Sequence, residues 1–364
     1  MKTVAANNVV GRLCVGRERG SDEPSSTVGL NVGSAREDVR LPGGYRMTIH
    51  GASDDLGSEI APRGTALSCV PLFQRECFTM LHRDVSIRAL VVRIYDGKGE
   101  HAGIFSCHEQ EAGAWVSPGR GSFGGIYLRE GARTLELLEA IFDAIESHIL
   151  SVGGGRLQLA LAAQAHDQGW DAIVMNVLMR RGYQISCHDL SYARTILSEP
   201  FAALVSRGNL KNIRRAARRG YHFSELDDSD LGLVYGIIER NRARRGFPMT
   251  MTLAAMQMGS DTIPDHFRLF GVEVGKNLVA AAVCVPINRS VLYVFYWAEI
   301  EGVENPSPIP TLAEGLYDYG RREGFCLLDV GTSTVRGVPN LGLIRFKESL
   351  GFRPSLKLVM AANL

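Results

Sequence analysis

A run of arginines and lysines near the middle of the chain is the feature best suited to holding phosphate groups. The stretch SRGNLKNIRRAARRGYHF carries six cations within thirteen residues, and four of them recur at offsets of 0, 4, 7 and 11. These offsets place the four on one side of a helix, and such a stripe is the electrostatic footprint that binds a nucleic-acid backbone. A solvated helix face at a domain junction is the alternative. The six cations are Arg207, Lys211, Arg214, Arg215, Arg218 and Arg219, and a second cluster follows at Arg240, Arg242, Arg244 and Arg245.

A glycine-rich segment is the second candidate for ligand binding. SPGRGSFGGIYL, residues 117–128, contains four glycines and one arginine, Arg120. Glycines let the backbone approach a ligand closely, and the forked guanidinium of Arg120 suits a carboxylate or a phosphate. The segment lacks the strand–GxGxxG–helix context of a dinucleotide site and the GK[ST] of a phosphate loop. A bulged strand is the alternative.

Other arrangements of reactive residues do not form recognisable sites. Cys107-His108 and Cys187-His188 are adjacent pairs, which point to opposite faces of a strand. His166-Asp167 has no nucleophile placed by any motif, and none of the nine histidines has the HExxH spacing of zinc ligands. The sequence therefore predicts no metal site, no cofactor and no nucleophile–histidine pair.

Composition limits the class of protein. The 364 residues, 39.8 kDa, favour two domains, and 45% hydrophobic with 22% charged residues indicates a globular chain. The formal net charge of +1 excludes a histone-like basic coat, so any contact with nucleic acid must be local. The seven cysteines are scattered without a CxxC pair, which is typical of the reducing cytoplasm.

The most apolar stretch, Leu278–Ala298, is the best candidate for a membrane span. Asn288 and Arg289 lie at its middle, and a charge there costs roughly 2.5–3.5 kcal/mol on insertion scales. We therefore expect two strands joined by an Asn-Arg-Ser turn. The N-terminus is too weakly apolar for a signal peptide.

The order of predicted elements occurs twice along the chain, which indicates two copies of one hairpin–helix–strand–helix–strand unit. Chance recurrence of alternating strands and helices is the alternative. The first copy has strands at 88–95, 102–108 and 156–162 with a helix at 134–152; the second has strands at 268–274, 278–285, 291–298 and 325–330 with a helix at 311–323. Matching residues keep near-constant offsets of 178, 177 and 169: Lys98 with Lys276, Thr134 with Thr311, and Gly182 with Gly351.

One lysine breaks this repeat. Phe346-Lys347 stands in the last helix of the second copy, where the first copy has Val177-Leu178. A lysine present in only one copy indicates that one half carries the chemistry and the other supports it. An ordinary surface lysine on a helix is the alternative.

The run LDVGT…GLIRFKESLGF, preceded by TLAEGLYDYGRREGF, resembles the C-terminal domain of the Fem family. Members of that family are aminoacyl-tRNA-dependent peptidyltransferases built from two fused GNAT (N-acetyltransferase) domains. SPGRGSFGG and NLKNIRRAARRGYHF are similar to segments of bacterial Fem-like acyltransferases, so the resemblance covers roughly Arg88 to the end. It implies an α+β fold of two tandem GNAT-like domains, each a mixed sheet flanked by helices. The predicted divisions are a poorly ordered or peripheral leader at 1–60, a first domain at 61–197, and a second at 198–364 that begins with the basic helical linker.

The resemblance also implies a site. It places Phe346 and Lys347 at the acyl-transfer centre, and the Arg-x-Gly-Phe pattern places the acceptor-pocket arginine at Arg244. Arg120, Tyr296 and Asp329 complete the predicted acceptor-binding set. The basic residues from Arg207 to Arg219 are predicted to bind the acceptor arm of tRNA. The chain lacks the long coiled-coil arm of some members.

The predicted activity is N-acyl transfer from aminoacyl-tRNA to an amine on a cell-wall precursor, a small metabolite or a natural-product intermediate. The amine attacks directly, without a covalent enzyme intermediate, and Lys347 supplies positive charge to the oxyanion or the leaving 3′-oxygen. No general base stands out. Neither half has the [RQ]xxGx[GA] loop that grips the pyrophosphate of acyl-CoA, which favours tRNA. An acyl-CoA-dependent N-acyltransferase and a non-catalytic RNA- or partner-binding protein on a GNAT scaffold are the alternatives.

Overall fold

Two copies of one α/β unit follow each other along the chain. The computed structural model describes residues 37–51, 69–81, 87–263, 266–303 and 305–364. The first unit comprises β1 (Glu37–Arg40), β2 (Arg46–Gly51), α1 (Glu76–Leu81), β3 (Ala89–Tyr95), β4 (His101–Glu111), β5 (Ala114–Ser117), β6 (Ile126–Leu128), α2 (Leu135–Ser151), β7 (Arg156–Ala163), α3 (Gln168–Arg180) and β8 (Gln184–Thr195).

The second unit repeats the hairpin–helix–strand–helix–strand order of the first and adds two helices and a short hairpin. It comprises α4 (Arg207–Arg218), β9 (Tyr221–Leu226), α5 (Leu231–Arg244), α6 (Leu253–Thr262), β10 (Arg268–Val274), β11 (Asn277–Pro286), β12 (Val291–Glu299), α7 (Ile309–Arg322), β13 (Leu327–Thr332), β14 (Thr334–Val335), β15 (Val338–Pro339), α8 (Leu341–Ser349) and β16 (Arg353–Asn363). The added elements are α4, α6 and the β14–β15 hairpin, and the predicted repeat is confirmed by the order of the others.

Local sequence explains where the helices begin and end. The hydroxyl of Thr134 accepts the Leu137 N–H and caps α2, whose apolar positions at helical spacing are buried. Gly182 and Gly351 have φ of 88° and 83° directly after α3 and α8. Glycine adopts this left-handed conformation without strain. The two glycines therefore occupy equivalent helix ends, as their offset predicts.

One continuous sheet contains almost every described strand. Its order is β1-β2-β3-β4-β5-β7-β16-β8-β13-β12-β11-β10-β9, with β6 beside β4 and β14–β15 forming a separate hairpin. Each unit has one parallel pair, β5 with β7 and β12 with β13, and its other pairs are antiparallel. The strands predicted within Leu278–Ala298 are β11 and β12.

The last strand of each unit is exchanged into the other. β16 of the second unit pairs with β7 of the first, and β8 of the first pairs with β13 of the second. β16 and β8 also pair with each other, antiparallel, at the centre of the sheet. Along the chain, the predicted boundary between Leu197 and Ser198 lies between β8 and α4. In space, however, the sheet of the first unit is completed by β16, and that of the second unit by β8.

The part of the predicted leader that the structure describes extends this sheet. β1 and β2 form a hairpin at its edge, and Met47 and Ile49 are buried beneath α2 and its neighbours in the first core. The remaining leader residues, 1–36 and 52–60, lie outside the described residues. Within the part of the chain that is described, no helix has the length and apolar character required to cross a bilayer.

Candidate functional site

A cavity of about 550 Å³ opens where the parallel strands of the second unit separate. β12 and β13 pair at three positions, the last of which joins Tyr293 to Asp329. Beyond that pair the two strands diverge, and α8 and the β14–β15 hairpin line the opening. Ser122 and His166 reach it from the first unit, so both units contribute to one concave site of the size that binds small molecules.

Asp329 is the buried carboxylate of this cavity. Its Oδ1 accepts the Gly331 N–H at 2.7 Å and the Ser191 hydroxyl at 3.4 Å, and its Oδ2 lies 2.7 Å from His166 Nε2. Burial alone raises the pKa of Asp329, but the hydrogen bond and charge of His166 and the Gly331 N–H outweigh it and hold the pKa below its usual range. Asp329 is therefore ionised near neutral pH.

Lys347 is the buried cation of the same cavity, with 2% of its surface exposed. Its Nζ donates to the Gly331 carbonyl at 2.8 Å and to the Thr332 carbonyl at 3.0 Å. Burial lowers the pKa of Lys347 to about 7, although the charge of Asp329 opposes this shift. Near neutral pH the amine thus exists in both forms, and in the ammonium form one of its three N–H groups is left over from the two carbonyls.

Four of the predicted site residues meet in this cavity: Phe346, Lys347, Tyr296 and Asp329. Phe346 lies edge-on to Trp297, with ring centroids 6.2 Å apart. The hydroxyl of Tyr296 is hydrogen bonded to Thr250, and the Arg242 guanidinium lies 5.2 Å from the centre of its ring. The cavity therefore combines aromatic walls with buried charged groups.

Two predicted acceptor residues lie elsewhere. Arg120 is exposed and borders a neighbouring cavity of about 210 Å³ beside Phe73 and Phe78. Arg244 is exposed and pairs with Glu301 at 3.2 Å. Side chains two positions apart on a helix point roughly 200° away from each other. Arg242 therefore faces the site, and Arg244 points away from it.

Four side chains that line the cavity were not predicted to belong to the site, although the sequence analysis named the first two in other contexts: His166, Arg242, Ser333 and Lys357. Burial lowers the pKa of Lys357 and of Arg242. The Ser333 hydroxyl is buried without a hydrogen-bond partner in the described part of the chain, which is common where a ligand binds. A signal existed for Arg242, because it extends the buried face of α5 that includes Ile238 and Asn241.

The loop between β13 and α8 is fixed to the first unit. Asp189, on β8, accepts the Thr334 hydroxyl at 2.6 Å and the Gly337 N–H at 2.9 Å. Asn340 then caps α8 by accepting the Leu343 N–H. The start of the helix that carries Lys347 is therefore positioned by a carboxylate from the other unit.

The basic helix α4 docks on the end of α8. The Ser206 N–H donates to the Ser349 carbonyl at 2.9 Å, and the Asn209 amide donates to the same carbonyl at 3.0 Å. Ile213 and Ala216 are buried beneath the helix. Its basic residues face solvent, apart from the half-buried Arg215, which lies 3.5 Å from the Asn305 side chain. The basic stripe of α4, which here includes all six cations between Arg207 and the C-cap residue Arg219, thus begins beside the last turn of α8.

The first turns of α7 and α2 are poorly suited to binding an anion. In the second unit Pro308 caps α7 and Pro310 lies in its first turn, so two N–H groups that would face an anion are missing. In the first unit the Thr134 hydroxyl already occupies one donor of α2, and Glu136 adds negative charge to the first turn. Among the described residues there is no group of three or more His, Cys, Asp or Glu side chains that could hold a metal ion.

Comparisons with known proteins bear on the fold. No family model matches the sequence, and no curated protein matches it. The crystal structure of FemX is similar over 83% of this chain and 93% of that chain, with a TM-score of 0.62 and 14% identity. L-PGS from Bacillus licheniformis is similar over 73% and 82%, with a TM-score of 0.50 and 11% identity. A tandem GNAT protein from the clavulanic acid biosynthesis pathway matches 76% and 83%, with a TM-score of 0.42 and 14% identity. The similarity to FemX shows that this chain shares the fold of that protein over most of its length, as the resemblance to the Fem family predicts: two units in tandem, each with a mixed sheet flanked by helices.

Proposed function

We propose that this protein is an N-acyltransferase that joins an acyl group to an amine in the cavity between β12 and β13. The observation that carries the proposal is the position of Lys347. It is a buried lysine that lines a cavity, and the equivalent position of the first unit holds the buried, apolar Leu178. A lysine with a purely structural role needs no cavity beside it.

The proposed role of Lys347 is electrostatic. When an amine attacks the carbonyl of an ester or thioester, negative charge develops on the carbonyl oxygen. Two N–H groups of the Lys347 ammonium are held by the Gly331 and Thr332 carbonyls, the Nζ lies 5.8 Å from the centre of the Tyr192 ring, and we propose that the third N–H donates to that oxygen. A donor of this kind typically contributes about 10²–10³ in rate. No covalent enzyme intermediate is required.

We propose aminoacyl-tRNA as the acyl donor. Two observations support this proposal: the basic stripe of α4 begins beside α8, and α7 starts with prolines that remove N–H donors an acyl-CoA pyrophosphate would use. A nucleic-acid donor fits a long, exposed, basic surface better than a small nucleotide does. The acceptor is a small amine-bearing molecule that fits the aromatic walls of the cavity.

Mass spectrometry of reaction products tests the activity and the donor together. The purified protein is incubated with a panel of amines and either charged tRNA or acyl-CoA. We expect an amide product that depends on charged tRNA and disappears with Lys347→Met but not with Lys98→Met, an exposed turn lysine. An amide formed only with acyl-CoA would move the donor to that class. No product with any donor would favour a non-catalytic binding protein.

Salt dependence of binding tests the donor separately. Exchange of Arg214, Arg215, Arg218 and Arg219 for glutamine should weaken tRNA binding, because each lost phosphate contact reduces the slope of log K against log salt by up to about 0.9. The matched control exchanges Arg321 and Arg322, exposed arginines at the end of α7, for glutamine. Equal tRNA affinity in both variants would contradict a role of α4.

A further inference from the structure

The proposed reaction needs a group that accepts the proton of the attacking amine, and a histidine pairs with a carboxylate at the cavity. His166 follows β7 in the first unit, and Asp329 lies on β13 in the second. His166 Nε2 and Asp329 Oδ2 are 2.7 Å apart, and the two side chains are 9% and 5% exposed. The pair thus joins the two units inside the protein.

The contact determines which ring nitrogen can act as a base. An ionised carboxylate only accepts hydrogen bonds, so Nε2 carries the proton in the neutral ring. The lone pair is then on Nδ1. This nitrogen makes no hydrogen bond to the described part of the chain, and it is not fully enclosed by protein atoms. The edge of the Phe123 ring packs against His166, with centroids 5.4 Å apart, and restricts rotation of the imidazole.

His166 also lies between two cavities. It lines the main cavity with Lys347, and it lines a second cavity at the start of α3 with Arg194 and Arg353. A structural histidine that only fills a core has no such pair of openings.

We infer that His166 is the general base of acyl transfer and that Asp329 is its positioning residue. This inference rests on the proposed function. General bases must lie within hydrogen-bond reach of the proton they remove, and typically contribute about 10²–10⁴ in rate. The sequence offers no base because the carboxylate that orients His166 is 163 residues away along the chain.

The lone pair of the amine forms the C–N bond while the carbonyl π electrons move to oxygen, and His166 Nδ1 takes the proton that the nitrogen loses. The oxyanion re-forms the C=O bond, the C–O bond to the donor breaks, and the leaving oxygen takes a proton from water while the Lys347 ammonium stabilises its negative charge. His166 then returns its proton to solvent, which restores the proton that the water gave. The products are an amide and the deacylated donor.

Chemical rescue tests the inference in the full-length protein. We expect His166→Ala to lower kcat by roughly a hundredfold or more with little change in KM, and added imidazole to restore activity in a saturable way. Lys347→Met should not respond to imidazole. His222→Ala, an exposed histidine of β9, should retain wild-type kcat. An active wild-type protein in which His166→Ala matches His222→Ala would overturn the inference and leave the proposed function intact.

A second measurement does not depend on activity. With ¹⁵N-labelled histidine, we expect the His166 ring in the Nε2–H tautomer in the wild type. In Asp329→Asn, whose amide can donate, that preference should be lost, and kcat should fall without rescue by imidazole. The same tautomer in wild type and Asp329→Asn would show that Asp329 does not position the ring and would overturn its role. Folding of each variant is checked by circular dichroism. If the wild-type protein forms no amide with any donor, the proposed function fails, and the inference fails with it.

Discussion

The last helices of the two units occupy equivalent places and differ in what they bury. In α3, Leu178 lies four residues before Gly182, is fully buried and packs in the apolar core of the first unit. In α8, Lys347 lies four residues before Gly351, is buried to the same degree, and bonds to two backbone carbonyls beside a cavity. The same position therefore holds an apolar core side chain in one unit and a hydrogen-bonded amine beside a cavity in the other. What differs is the strand in front of it: β7 reads RLQLALAA without a carboxylate, whereas β13 supplies Asp329 and the two carbonyls.

The largest effect should come from giving the first unit the lysine of the second. Leu178→Lys places a charge among apolar side chains with no carbonyls to receive it, and we expect a loss of roughly 3–5 kcal/mol in the free energy of unfolding. Urea denaturation measures this loss. The matched control is Met179→Lys at the next, exposed position, which should change stability by less than about 0.5 kcal/mol. Equal stability of both variants would show that the two units do not differ as described.

Removal of the lysine from the second unit should abolish most activity. Lys347→Met keeps the length of the side chain and removes its charge, and we expect kcat to fall about 10²–10³-fold with a smaller change in KM. Lys347→Arg should recover part of the loss. Removal of a surface lysine would leave the melting temperature unchanged. Removal of Lys347 leaves the Gly331 and Thr332 carbonyls without their donor, so we also expect a loss of about 1–3 kcal/mol in the free energy of unfolding. Steady-state kinetics and calorimetry measure the two effects, and full kcat in Lys347→Met would exclude a catalytic role.

The two units should also differ in their response to pH. The pKa of Lys347 is about 7 in the folded protein and near 10.5 as the ordinary value, so between these values the unfolded chain binds more protons. Stability should therefore increase with pH above 7, by at most about 1.4 kcal/mol per pH unit from this residue. Lys347→Met should lose this contribution, while Lys357 contributes to both proteins alike. Urea unfolding at pH 7, 8 and 9 measures the slopes, and identical slopes would contradict the burial of Lys347.

The smallest effect separates two arginines of α5. Arg242 lines the cavity and Arg244 faces solvent. We expect Arg242→Gln to raise KM for the acceptor about tenfold, as loss of one charge-assisted contact implies, and Arg244→Gln to leave it within twofold. The opposite result would return the acceptor arginine to the position that the Arg-x-Gly-Phe pattern indicates.

The fold was predictable because its signals are local. Apolar spacing predicts α2 from Thr134 onward, and turn glycines such as Gly182 and Gly351 mark equivalent helix ends. The exchange of β8 and β16 was not predictable, because either strand has the pattern to pair with β7 or with β13. A local sequence pattern predicts that a segment forms a strand, but it does not determine which strands that segment pairs with.

Most of the candidate site that was predicted correctly lies within one stretch of sequence, and Tyr296 on β12 is the exception. Phe346, Lys347 and Asp329 stand within one motif, and they meet in the cavity. His166 reaches Asp329 through the exchanged strands, so no motif spans the pair. Arg242 could have been chosen over Arg244 from the buried positions of α5, since residues three and four apart share a helix face.

The exchange of strands has a mechanical consequence. A hinge between two lobes would let them close on a substrate, but here a continuous ladder of hydrogen bonds runs through β7, β16, β8 and β13. Relative rotation of the lobes would break that ladder, so His166 and Asp329 are held in register before any ligand arrives. The entropy of aligning them is lost once, when the chain folds, and not again each time a ligand binds. Adaptation to different ligands is then left to side chains and loops at the rim, such as the segment from Ser333 to Asn340.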